Sequence, residues 1–147
     1  MDLLLKHQVK FIVCGGVAVG FCGFVRFTED IDILVSIREG NVERVREAFS
    51  HFGEGFGGDI QEGDLPLEPG CVRVLEEDCP VDIFTLMNSQ TYEELLPGSM
   101  ALRLPQMLGE IRHLSPRQLI EAKSGTWREK DRMDVDALSR LEREKGS

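Results

Sequence analysis

The sequence predicts an α+β domain, and three observations carry that expectation. The apolar run Phe11-Ile12-Val13-Cys14 stops at Gly15-Gly16, as a buried strand does when it turns into a helix. Residues 39–52 space Val42, Val45, Phe49 and Phe52 at helical intervals, with Glu43, Arg44, Arg46 and Glu47 on the outer face. Residues 71–75 and 81–85 read as two short strands joined by Glu76-Glu77-Asp78-Cys79-Pro80, a hairpin.

The remaining elements follow in chain order. Residues 2–8 start a short helix, residues 10–14 form the first strand, and residues 16–24 a helix with Gly23 near its end. Residues 30–36 form the second strand, with Ile31, Ile33 and Val35 on one face and Asp30, Asp32 and Leu34 on the other. The helix at 39–52 ends at Gly53, and the glycine- and proline-rich 53–70 segment is a loop. Residues 91–96 make a short helix or turn, and 100–104 with 110–114 a small strand pair. Ser115-Pro116-Arg117-Gln118 is a helix start: Ser115 caps, Pro116 takes the first helical position and Gln118 completes a capping box. That helix runs to about residue 124. A last helix near 128–144 uses Leu138 and Leu141 as core contacts. We expect one domain over 1–147, with a core at about 1–114 and C-terminal helices at about 115–145.

The formal charge is -9, from 26 acids and 17 bases, and it is unevenly spread. Residues 54–94 hold eleven acids and a single base, Arg73, whereas residues 103–132 hold seven bases and four acids. An acidic surface of this kind excludes broad, salt-driven binding to nucleic acid. No apolar run approaches membrane-spanning length, and Lys6, His7 and Lys10 follow Leu3-Leu4-Leu5 rather than precede a signal-like core. A cytoplasmic protein with no membrane association is expected. Cys14, Cys22, Cys71 and Cys79 match no zinc spacing and are expected to be reduced structural thiols. His7, His51 and His113 share no motif and read as surface residues.

Three features carry chemistry. Asp30 and Asp32 are two apart on a strand, so their carboxylates share a face at about 6–7 Å along the backbone. Two hard oxygen donors so placed suit Mg²⁺. Otherwise they are two solvated acids on a strand's polar face. The strand is apolar, however, so adjacent like charges call for a balancing cation. Gly15-Gly16 is either a tight turn or a place where backbone approaches phosphate at a helix N-terminus. No Gly-Lys-Ser/Thr follows, so it is not a P-loop. Asp82, inside Val81-Asp82-Ile83, is a strand-face acid or a third metal ligand and proton acceptor.

In this order the pieces resemble the nucleotidyltransferase superfamily of the DNA polymerase β type. Its pattern is an apolar residue with Gly-Gly or Gly-Ser, a short gap, Asp-apolar-Asp/Glu-apolar, and later an acid between two apolar residues. Here these are Cys14-Gly15-Gly16, thirteen residues, Asp30-Ile31-Asp32-Ile33, then Val81-Asp82-Ile83. Arg26-Phe27-Thr28-Glu29-Asp30-Ile31-Asp32 is similar to the Arg-x-Thr-x-Asp-x-Asp run of small bacterial members, including AbiEii-type toxins. Lys123 with Arg128, Lys130, Asp131 and Asp134 is similar to a pattern in their C-terminal helices.

The resemblance implies a nucleotidyltransferase fold, a mixed β-sheet flanked by helices with a C-terminal helical segment. It also implies transfer of an NMP from an NTP to an acceptor hydroxyl, with release of pyrophosphate. Asp30, Asp32 and Asp82 would be the catalytic, metal-holding carboxylates for Mg²⁺, as two ions. Gly15, Gly16, Arg26, Thr28 and Lys123 would contact the NTP. Arg26 either contacts phosphate or pairs with Glu29, and Lys123 either offsets triphosphate charge or is a solvated helix lysine. Trp127 stacks on a base or packs between helices. The acceptor is a small molecule, a tRNA end or a protein side chain, and the acidic 54–94 segment suits a cationic one such as an aminoglycoside. A cognate antitoxin is an implied partner. The competing readings are a non-catalytic, antitoxin-like binding protein on the same fold and a Mg²⁺/nucleotide sensor. The enzyme reading requires Asp30, Asp32 and Asp82 on one face of adjacent strands, with Gly15-Gly16 at the mouth of the same cleft.

Overall fold

A computed structural model describes residues 1–24, 30–50, 65, 67–74, 79–123 and 129–145. The helices are α1 (Asp2–Lys6), α2 (Gly15–Phe21), α3 (Asn41–Phe49), α4 (Tyr92–Leu95), α5 (Pro116–Lys123) and α6 (Glu129–Lys145). The strands are β1 (Phe11–Cys14), β2 (Ile31–Val35), β3 (Cys71–Val74), β4 (Val81–Phe84), β5 (Met100–Leu102) and β6 (Ile111–His113). They form one mixed sheet in the order β3-β4-β2-β1-β6-β5. The β1–β2, β3–β4 and β5–β6 pairs are antiparallel, whereas β2–β4 and β1–β6 are parallel. This is the α+β nucleotidyltransferase architecture, with helices against the sheet and a helical C-terminal segment.

The central strands explain the apolar runs. All four residues of β1 are buried, and Ile33, Leu34 and Val35 of β2 are buried on both faces. Each such aliphatic side chain contributes about 1.5–3 kcal/mol on leaving water. Alternation therefore survives only at the start of β2, where Asp32 stands. Helix α2 packs on β1 and β2 and also reaches α5, while α1 meets α3 and α5 meets α6.

Helix α3 begins at Asn41, two residues later than its amphipathic pattern suggests. Glu39 and Gly40 take positive φ values of 55° and 75°, which interrupts any earlier helix. Asn41 then does a second job. Its side chain accepts from the Lys10 amide at 2.7 Å and donates to the carbonyls of Ser36 and Lys10 at 2.7 and 3.1 Å. A fully buried amide thus ties the ends of β1 and β2 together. The Ser115–Gln118 capping box forms as expected, with bonds of 3.0 and 3.2 Å.

Two expectations need correction. His113 is buried, because β6 turns Ile111 and His113 inward and Arg112 outward. Its Nδ1 lies 2.9 Å from the Leu114 carbonyl oxygen, its ring tilts against Phe21 at 5.5 Å, and burial pushes its pKa down. Cys71 is exposed at the start of the edge strand β3, so it is no core thiol, although all four cysteines are reduced, as expected. Phe52, His51 and Trp127, and most of the 53–70 loop, lie outside the described residues. No helix among the described residues is long and apolar enough to cross a membrane.

Candidate functional site

The sheet order builds the site. Strand β2 lies between β1 and β4, so Asp32 is flanked by Cys14 on one side and by Asp82 on the other. Asp30 stands one residue before β2 begins, and one ligand oxygen from each of Asp30, Asp32 and Asp82 lies within 4.8 Å of the others. Asp82 is 6% exposed despite its charge. The required juxtaposition of three carboxylates on one face is therefore present.

Such crowding has an electrostatic consequence. The Asp32 carboxyl is pushed up to about 6, first by burial and then by the negative charges of Asp30 and Asp82. A hydrogen bond with Asp82 raises it further, and Lys123 partly opposes the shift. Asp32 therefore keeps its proton to a higher pH than an ordinary aspartate, as a half-buried carboxyl beside like charges does. A divalent cation would reverse that preference. Three hard oxygens with excess negative charge and partial solvent access match what Mg²⁺ takes from a protein.

Gly15 opens α2 directly after β1, with φ of +64°. A Cβ there would collide with the Asp32 carboxylate, lying 2.9 Å from Cγ and closer still to Oδ2. Glycine is thus required twice, for the backbone angle and for the approach of the acid. Gly16 follows in the first turn of α2. Arg26 and Thr28 lie outside the described residues, as does Arg128.

Lys123 closes α5 and is nearly buried. Its Nζ sits 3.0 Å from Asp131 Oδ1 and 3.0 Å from Asp134 Oδ2, both on α6. Asp134 is fully buried and Asp131 nearly so. Asp131, Asp134 and the core residue Leu138 fall on one face of α6, so this helix turns two acids inward to meet one lysine.

Sequence reasoning missed Arg73. Cross-strand pairing on β3–β4 sets it opposite Asp82. Its Nε donates to Asp82 Oδ1 at 2.8 Å, and Nη2 donates to Asp82 Oδ2 at 3.0 Å and to Asp30 Oδ2 at 2.7 Å. These bonds hold the guanidinium still more firmly in its charged form. The available signal was its solitary positive charge in an acidic stretch, within a hairpin that faces Asp82. A cavity of about 160 Å³ lies nearby, lined by Leu65, Val72, Ile83 and Thr85. Val72 and Ile83 alternate away from Arg73 and Asp82, so it is not part of the acid face.

A glycine turn against one of three converging carboxylates, on a mixed sheet, defines the class: a nucleotidyltransferase-fold protein. Residues 4–77 match the family model described as the nucleotidyl transferase AbiEii toxin of type IV toxin–antitoxin systems. The match covers half of the chain, which belongs to this family. It takes in Gly15, Gly16, Asp30, Asp32 and Arg73, and stops short of Asp82 and Lys123. No curated protein sequence matches the chain.

Proposed function

We propose that this protein is a metal-dependent nucleotidyltransferase that moves an NMP from an NTP to an acceptor hydroxyl and releases pyrophosphate. The observation that carries the reading is the convergence of Asp30, Asp32 and Asp82 within 4.8 Å, in a member of a nucleotidyltransferase toxin family. Asp30, Asp32 and Asp82 would hold Mg²⁺, as two ions, which would offset triphosphate charge and lower the cost of charge build-up at phosphorus.

The protein's own groups then have distinct tasks. Asp82, the most buried of the three acids, accepts the proton of the acceptor hydroxyl. Asp32, seated against Gly15, is fixed in direction by the absence of a side chain there. The Gly15-Gly16 backbone, with Arg26 and Thr28, contacts the phosphates. Lys123 acts at longer range: its ammonium is held by Asp131 and Asp134, yet its charge reaches Asp32. Residues 1–147 work as one unit, because the α5–α6 segment brings that charge to the acid face. The setting is the cytoplasm, with a cognate antitoxin as partner and a small-molecule, tRNA or protein acceptor.

Incubation with each of the four α-³²P-labelled NTPs, Mg²⁺ and fractionated cell extract tests this. Label should move to one fraction and should fail to do so with Asp32→Ala. If calorimetry shows Mg²⁺-dependent NTP binding but no fraction acquires label, the nucleotide-sensor reading replaces the enzyme. If no NTP binds with metal present, both fall.

A further inference from the structure

We infer that Arg73 is a substrate-binding residue that occupies the acid face before metal arrives and then passes its guanidinium to the triphosphate. This rests on the proposed metal and NTP reading and deepens it.

The argument starts from charge. Three carboxylates within 4.8 Å need a cation, and Arg73 supplies one by bonding two of them. All three of its bonds, at 2.7–3.0 Å, fall on atoms of the residues that would hold Mg²⁺. A guanidinium and a divalent ion on the same carboxylates repel each other, so each weakens the other's hold. Arg73 is also free to leave. Its side chain is 49% exposed on the edge strand β3, whereas the Asp82 side chain is 9% exposed. Once displaced, its flat, permanently charged fork remains on the strand beside Asp82. That fork matches phosphate oxygens in pairs, which a lysine does not. Asp30 is also partly exposed, so the exchange takes place at the surface and needs no opening of the core.

Two titrations of the whole protein separate this from a purely structural role. The first follows Mn²⁺ alone by electron paramagnetic resonance. The second follows inorganic tripolyphosphate by calorimetry at saturating Mn²⁺. Arg73→Gln should bind Mn²⁺ about 3–10-fold more tightly than wild type and tripolyphosphate about tenfold more weakly. Arg73→Lys, which keeps the charge but not the fork, should match wild type for Mn²⁺ and lose tripolyphosphate affinity. A melting curve with a single transition within a few degrees of wild type shows that each variant is folded. Equal or weaker Mn²⁺ binding by Arg73→Gln, with wild type still binding, overturns the inference and leaves the metal reading intact. Unchanged tripolyphosphate affinity overturns the hand-over to phosphate. Failure of both proteins to bind Mn²⁺ overturns the metal reading and the inference together.

Discussion

Two clusters in this molecule have the same formula, one cation between two aspartates, and opposite characters. Arg73 joins Asp30 and Asp82, with side chains 49%, 30% and 9% exposed. Lys123 joins Asp131 and Asp134, with 11%, 11% and 0% exposed. The first stands at a sheet edge, where water competes for every charge and an ion pair is weak enough to exchange. The second lies between α5 and α6, where each charge has already lost its water and holds only while its partners stay. Burial, more than ion-pair distance, separates an exchangeable site from a fixed clamp. The third acid of the first cluster, Asp32, adds a negative charge that Arg73 does not touch.

The widest separation should appear on replacing one charged group from each cluster's neighbourhood. Asp32→Asn removes a proposed metal ligand without changing shape. Nucleotidyl transfer should fall about a thousandfold, the several kcal/mol that bound metal supplies at about 1.36 kcal/mol per decade. The fold should persist, because the charge removed was one that its surroundings disfavour. Transfer of labelled NMP and a urea denaturation curve read the two quantities side by side. Equal loss of activity and stability would erase the distinction between the clusters.

Lys123→Met should fall chiefly on stability. It takes away the ammonium that lies 3.0 Å from the fully buried Asp134. Breaking a buried pair from one side costs about 3–5 kcal/mol, which the midpoint of urea unfolding measures. Changing Lys123 to Met, Asp131 to Asn and Asp134 to Leu together should recover much of that loss, since the carboxylates that faced the ammonium go with it. If Lys123→Met is as stable as wild type, the α5–α6 cluster is no clamp.

These two clusters also mark what the sequence made legible. Period-two spacing is local, so Asp30 and Asp32 could be paired from the chain alone, and the flanking valine and isoleucine marked Asp82 as a strand residue. Gly15-Gly16 was equally local. Arg73 was not, because its contact with Asp30 spans 43 positions and depends on β2 lying beside β4. That order is a property of the whole sheet. The Lys123, Asp131 and Asp134 spacing was visible, but its meaning depended on α6 turning its acids toward α5. His113 was misread for another reason. A three-residue strand is too short to display its alternation, so an inward histidine resembles a surface one.

Gly15→Ala tests how tightly Asp32 is seated. The new methyl must displace the carboxylate while the residue holds a positive φ. Stability should fall by about 2 kcal/mol, and transfer should fall with it, because the displaced acid no longer faces Asp82. Asp32→Asn in the same background should restore little, since its amide fills the same space. A Gly15→Ala protein with wild-type transfer would show that the Asp32 carboxylate has room to move.

The smallest effect is the most specific to the acid face. Asp32 titrates near 6 in the folded, metal-free protein and near 3.8 when unfolded. The folded state therefore holds the proton more tightly. Its contribution to stability is complete below the unfolded value and disappears as pH rises through the folded one. Metal-free wild type should lose about 1–2 kcal/mol from this group between pH 4 and pH 7, after allowance for solvent screening. Asp32→Asn should lack that component, so the gap between the two proteins should widen in the variant's favour as pH rises. Saturating Mg²⁺ should close or reverse the gap, because the ionised acid then has a cation to meet. Urea midpoints at several pH values, with and without metal, supply the comparison. Parallel pH profiles for the two metal-free proteins would mean that neither burial nor the charges of Asp30 and Asp82 act on Asp32. The acid face would then lose the electrostatic tension that distinguishes it from the Lys123 clamp.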